Sequence, residues 1–463
     1  MAKASTLRTR HGAEAEPGDS REGGWGVVVV IAAHMSMAIQ VGLLRSWGVV
    51  YLSWKEDFET NDKETSAVQS IMSSVMSFSG LPAGVLTQRF GCRITGMIGG
   101  GLSSIGLLCS CWVTDIHQFY ITAFFTGVGI GICYNSTIVV VALYFKRKYK
   151  IANAVACSGL GTGIMAVPPI VQLLLESYGW RGAFLVASAI AANSIALSAC
   201  YRPNHYMNNN KKSCREHDGL EHEPTREVNK GIHNNKTDFV TLNPKSSNSI
   251  VKYIHRLSVT LGFQLFLKSY RLTLQSAIQL QYCLVYVGFV LYLVPRAQSV
   301  GVAPSTAAML LSIFGIGSLL GRLGGGLLVS WRISAEHVST ISLVLAGMSV
   351  LLLNFESYYI FAIAAFLHGF ASGVFFSIVV VLSRSFIGVR KLAIGVGISQ
   401  IWVGIGSVTG PILAGWILDT TGESYQTFFY VAGAICFICA VQMFFLPLLR
   451  RVEPGIDILP TDA

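Results

Sequence analysis

The sequence predicts an all-α membrane protein of twelve transmembrane helices in two six-helix bundles. Three observations carry that prediction: an apolar composition, twelve apolar windows of membrane-crossing length, and a one-sided distribution of lysine and arginine. Of 463 residues, 52% are hydrophobic and 13% charged, with mean hydropathy +0.55. An ordinary soluble domain is about 25% charged.

The windows are 26–52, 67–86, 94–113, 119–143, 151–175, 182–200, 272–294, 307–329, 338–353, 358–382, 392–418 and 428–449. Most approach or exceed the roughly 20 residues a helix needs to cross the hydrocarbon core. Gln275, Gln279 and Gln281 interrupt the seventh. Residues 1–25 are polar and lack an apolar core, so no cleaved signal peptide is expected. Residues 202–271 are rich in Asn, Lys, Glu and His, a composition that cannot bury a core. They read as a largely disordered linker between a first bundle, 26–201, and a second, 272–449, with a short tail at 450–463.

Twelve crossings place both termini on one side, and basic residues say which. Of the 34 Lys and Arg, 28 fall on the side of the termini and the linker; Lys55, Lys63, Arg181 and Arg296 fall opposite, and Arg45 and Arg322 lie within windows. By the positive-inside rule both termini are cytoplasmic. The net charge of +10 is mostly this bias, so no nucleic-acid partner is expected. None of the ten cysteines falls in an outer loop, which argues against a disulfide framework. Cys436 and Cys439 form a CxxC on an apolar helix without a second ligand pair, so they read as packing residues and not as a metal site. No HExxH or acid cluster appears, and neither an enzyme nor a cofactor is expected.

The two bundles repeat each other. Gly127 and Gly131 recur 242 residues later as Gly369 and Gly373, and Gly84 recurs as Gly326. Pro168, Glu176 and Gly179 recur 243 residues later as Pro411, Asp419 and Gly422. So constant an offset across separated motifs marks a duplicated six-helix unit, with a substrate path expected between the copies near the midplane.

A 6+6 chain with a long connector resembles the major facilitator superfamily. The turn "GVLTQRFGCR" is similar to that superfamily's G-x-x-x-D-R-x-G-x-R loop, with Gln88 in place of the acid. Its Arg89 and Arg93 are expected to bridge helix ends, not to bind substrate. Two further stretches resemble the monocarboxylate transporter family. "EGGWGVVVVIAA" (Glu22, Gly23, Gly24, Trp25, Gly26 and onward) is similar to that family's opening motif, with Val27 where a second Trp is usual. "YFKRKYKIANAVACSGLGTG" matches its fifth-span motif at Tyr144, Phe145, Ala152, Asn153, Ala156, Gly159 and Gly163, while Ala154 replaces a glycine.

The resemblance implies a plasma-membrane carrier of monocarboxylates or related small organic acids, working by alternating access. It also implies site residues. Arg322 matches the family's eighth-span arginine, which binds the substrate carboxylate; the aspartate usual four residues earlier is here Ser318. A guanidinium offers two parallel donors that suit a carboxylate. Arg45 falls where the family places a substrate- or proton-linked lysine, and an arginine keeps the charge without releasing its proton. Aligning the tenth span places Val380 where relatives carry phenylalanine, which implies a roomier cavity. Tyr134, Asn135 and Gln400 are further polar cavity candidates.

No Asp or Glu lies in the interior of any predicted span. That puts the family's proton symport in doubt. The titratable candidates that remain are His34 and His368, with an ordinary pKa near 6.5. Two alternatives stay open: facilitated transport of larger amino-acid-like or zwitterionic compounds, and a non-transporting sensor or scaffold with a transporter fold. The expected partners are a small organic acid, the lipid bilayer, protons if coupling exists, and the single-span immunoglobulin-like chaperone that some relatives require.

Overall fold

The computed structural model describes residues 24–46, 50, 54, 57–59, 62–202, 269–331, 333–421 and 425–451. Glu22, Gly23, nearly all of the expected linker and the end of the tail lie outside the described residues, as does the Asp419 side chain. Within them the chain is helical, with no strand. The long helices are α1 (Trp25–Arg45), α2 (Asp62–Phe78), α3 (Gly80–Phe90), α4 (Cys92–Cys109), α5 (Ile116–Tyr144), α6 (Tyr149–Ala199), α7 (Tyr270–Ser299), α8 (Pro304–Ser330), α9 (Ala335–Leu351), α10 (Tyr358–Thr420) and α11 (Tyr425–Phe445).

These helices supply the twelve expected crossings. The pair α2 and α3 makes one crossing bent by 42°. Pro82 explains the bend: its ring cannot donate to the Phe78 carbonyl and clashes with it, and Gly80 beside it yields easily. Helices α6 and α10 make two crossings each. α6 breaks at Gly179 (φ 67°, ψ 177°) and α10 at Gly388 (φ 71°, ψ 171°). That conformation is essentially restricted to glycine, so one residue reverses the chain at each site. The short window 338–353 is lengthened at its start, where the Ser334 hydroxyl accepts from the His337 N–H and caps α9.

The path alternates between two faces. Trp25 at the start of α1 donates through Nε1 to the Cys200 carbonyl at the end of α6, so α6 returns to the face where α1 began. Arg202, just beyond it, shares that face, called here the linker face; so does the start of α7, where Arg271 lies over Phe386 of α10 near Arg384, which reaches the Phe145 carbonyl at the end of α5. Among the described residues an arginine–carboxylate pair stands on the opposite face in each bundle: Arg181 with Asp57 at 3.4 Å and Arg296 with Glu356 at 3.5 Å. The second bundle has one continuous apolar core, from Leu272 to Leu446. The first has two, one toward the far face around Trp54, Phe119 and Phe184. The other, around Ile138, Tyr149 and Tyr201, also takes in Val380, Leu392, Ala393 and Val396 of α10. The bundles therefore share an apolar core on the linker side.

Candidate functional site

Small residues let the bundles approach. A methyl on Gly84 would meet the Ala393 carbonyl oxygen at 2.5 Å, and one on Gly326 would collide with Ala154. Gly80 lies against Gln400, Gly161 against Leu319 and Gly404 against Ser77. Contacts without intervening side chains are what small residues provide in membrane helices. They leave little width between α3 and the second limb of α10, or between α6 and α8.

Arg322 sits in this contact zone. Gly321 and Gly325 let α8 press on Phe370 and Val374 of α10, so the backbone around Arg322 is fixed on one side. Its side chain is 5% exposed and its charge acts on Tyr134 and Cys157 of the first bundle. Among the described residues no carboxylate pairs with it, and its Nε has no hydrogen-bond partner. Tyr134 reaches the Gln400 side chain. Arg322 of α8 is thus within electrostatic range of Tyr134 of α5 and Cys157 of α6, with Gln400 of α10 near Tyr134. Ser318, one turn before Arg322, is buried, and its main chain lies against Gly369 and Gly373.

The other expected residues stand at different places. Asn135 is fully buried; its amide donates to the carbonyls of Gly80 at 3.2 Å and Ala393 at 3.3 Å. Val380 belongs to the shared apolar core. Arg45 is exposed at the last turn of α1, about 30 Å along the helix from Trp25. It therefore stands near the far face, at the opposite end of α1 from Trp25.

Both histidines are engaged in packing. The half-buried His34 ring holds α1 to α6 through Nδ1, which is 2.9 Å from the Val155 carbonyl, and through Nε2, which is 3.2 Å from the Thr162 hydroxyl. His368 is fully buried, stacks on Phe289 at 3.9 Å and meets the Ser349 hydroxyl at 3.0 Å. Its Nε2 is unpartnered.

The motif residues divide between helix packing and the linker face. Gly159 and Gly163 let α6 press on the carbonyls of His34 and Ala38, and Gly26 and Ala152 are buried in helix contacts. Gly24 precedes α1 with a positive φ. Trp25 lies under the Arg202 guanidinium at 3.7 Å, and Tyr144 donates to the Arg202 carbonyl at 2.7 Å. The Asn153 amide crosses to the Ser377 carbonyl at 2.9 Å. Arg89 and Arg93 are exposed on the linker face. Sequence reasoning missed Cys157, which feels the charge of Arg322, and it missed Arg384, whose Nη1 donates to the Phe145 carbonyl at 2.8 Å. The repeat offset could have flagged Ser377, which stands 242 residues after Asn135; nothing local marked Arg384, one of several basic residues near a turn.

The sequence profile of the Major Facilitator Superfamily matches residues 27–295 and again 276–460. Human Monocarboxylate transporter 12 is 26% identical over 443 residues, covering 93% of this chain and 82% of that protein. Mouse Monocarboxylate transporter 6 is 28% identical, covering 90% and 85%, and the bovine Monocarboxylate transporter 13 is 28% identical, covering 91% and 88%. Among solved structures, the proton:xylose symporter XylE bound to 6-bromo-6-deoxy-D-glucose superposes with a TM-score of 0.67 at 13% identity, covering 93% of this chain and 99% of that one. That likeness is one of fold. The chain belongs to the Major Facilitator Superfamily: it is a multi-pass membrane transporter, not an enzyme, whose relatives along nine-tenths of its length are monocarboxylate transporters.

Proposed function

We propose that the protein carries small carboxylate-bearing solutes across the plasma membrane by alternating access, with Arg322 holding the carboxylate. One observation carries this reading: a guanidinium 5% exposed stands between the bundles with its Nε unpartnered. A buried charge without a counter-ion is costly, so a site of this kind is complementary to an anion that arrives and leaves. Tyr134 and Gln400 supply neutral hydrogen-bonding groups beside it. The described residues offer no carboxylate there for a substrate ammonium, which favours an anion over a zwitterion.

The linker face is the cytoplasmic one in this reading, because 28 of the 34 basic residues fall on that side. A tag inserted at 208–212 is then labelled only after permeabilisation; labelling in intact cells overturns the orientation.

Coupling to protons is weak or absent in this proposal. Arginine and serine occupy the positions of the family's lysine and aspartate, and His34 and His368 are engaged with partners within their own bundles.

The test is uptake of a carboxylate panel by wild type and Arg322→Lys. Lysine keeps the charge and loses the two-donor fork, so uptake falls sharply while surface abundance stays normal. Unchanged uptake in the variant removes Arg322 from the substrate site.

A further inference from the structure

Two cations cross between the bundles at the linker face, and each serves a helix end of the opposite bundle. Arg384 of α10 donates to the Phe145 carbonyl, which caps α5, at 2.8 Å. Lys150 of α6 donates through Nζ to the Val329 carbonyl, in the last turn of α8, at 3.1 Å. The final carbonyls of a helix have no N–H one turn further on, and the helix dipole gathers negative charge there. The Arg384 guanidinium also lies 4.0 Å over the Tyr149 ring, which packs it against the start of α6.

The two contacts are reciprocal: a residue of the second bundle closes a helix of the first, and a residue of the first closes a helix of the second. Opening the linker face separates both pairs at once, breaking two charge-assisted hydrogen bonds to helix-end carbonyls. Phe145 also adjoins Tyr144, whose hydroxyl holds the Arg202 carbonyl, so this helix end is anchored within its own bundle and is a firm target for Arg384. Behind these contacts, in the apolar core that the first bundle shares with α10, lies Cys157, 2% exposed.

We propose that Arg384 and Lys150 are positioning residues of the transport cycle: reciprocal helix caps that hold the linker face shut and must release for the path to open there. The proposal rests on the transporter reading but not on any substrate, and the experiment needs none. Full-length protein in native membrane vesicles is treated with N-ethylmaleimide, and alkylation of Cys157 is followed by peptide-resolved mass spectrometry. Cys436, fully buried inside the second bundle, reports general loosening.

In Arg384→Gln and Lys150→Gln the Cys157 rate rises at least about tenfold, the scale of one charge-assisted hydrogen bond, while Cys436 is unchanged. Arg384→Lys, which keeps a cation at the α5 terminus, returns Cys157 toward the wild-type rate. Equal Cys157 rates in wild type and both glutamine variants overturn the proposal. So does a parallel rise at Cys436, or a lysine variant as reactive as the glutamine one.

Discussion

The two bundles are one packing scheme built twice, and they diverge where the substrate is proposed to sit. In the first, Gly127 and Gly131 press on the carbonyl oxygens of Met72 and Met76; in the second, 242 residues on, Gly369 and Gly373 press on those of Phe314 and Ser318. The match continues in polar contacts. Asn135 donates to the Gly80 carbonyl, and 242 residues on Ser377 donates to the Arg322 carbonyl. Gly84 meets the Ala393 oxygen, while Gly326 meets that of Lys150, a partner 243 residues earlier. The main chain is thus reproduced contact for contact. At one of these positions the side chain goes from none, at Gly80, to a guanidinium, at Arg322. Main-chain contacts tolerate no added volume, so both copies kept them; across the bundles Gly80 is held bare by Gln400 and Gly397, whereas its counterpart Arg322 carries a long side chain.

The strongest way to break the comparison is to overfill both copies at equivalent places. Gly131→Leu and Gly373→Leu each drive a side chain into main chain, where adding even a methylene costs about 1–3 kcal/mol. Both variants are expected to lose the folded monomer in fluorescence-detected size-exclusion chromatography. Survival of one and loss of the other would show that the copies are not mechanically equivalent.

Arg322→Gly makes the second bundle like the first at the point of divergence. Carboxylate uptake is expected to fall on the order of 100-fold, the scale of removing a buried charged partner, with folded protein still recovered. A variant that transports normally would place recognition elsewhere between the bundles.

The reciprocal change is smaller. Asn135→Ser imitates Ser377, retaining a hydroxyl for the Gly80 carbonyl but dropping the bond to Ala393 across the bundles. One hydrogen bond is worth about 1 kcal/mol, or about a fivefold shift toward opening at the linker face. Alkylation of Cys157 reads it, and no change would mean that the Ala393 contact does not hold the bundles together.

The smallest effect expected is on pH. With Ser318 one turn from Arg322, uptake at two external pH values should differ by less than about twofold beyond the substrate's own ionisation, since His34 and His368 are both held in packing contacts. Ser318→Asp should steepen the dependence by adding an acid one helical turn away. A proton entering with each substrate in wild type, recorded by intracellular pH, would show that a coupling group has been missed.

Much of this was legible in one dimension because a membrane allows few solutions. Each crossing must satisfy its own backbone hydrogen bonds, so apolar windows of sufficient length become helices, and twelve windows led to twelve crossings. The family motifs could be recognised but not interpreted. Trp25 and Tyr144 are 119 residues apart, and only the return of α6 to the face of α1 brings both to Arg202.

By itself the sequence determined the helical class, the number of crossings, the duplication and the one cation well inside the second bundle, because composition, window length and repeat offset are properties of the chain. The tertiary structure decided which of the polar candidates face one another. It brought Tyr134 and Cys157 within electrostatic range of Arg322, with Gln400 near Tyr134, and it committed the Asn135 amide to main-chain carbonyls. It also turned Arg384, unremarkable among other basic residues, into a cap for a helix of the opposite bundle. Such pairings join residues far apart in the chain, and they depend on helix rotation and on approach distances set by glycines on both partners. No local pattern encodes those quantities.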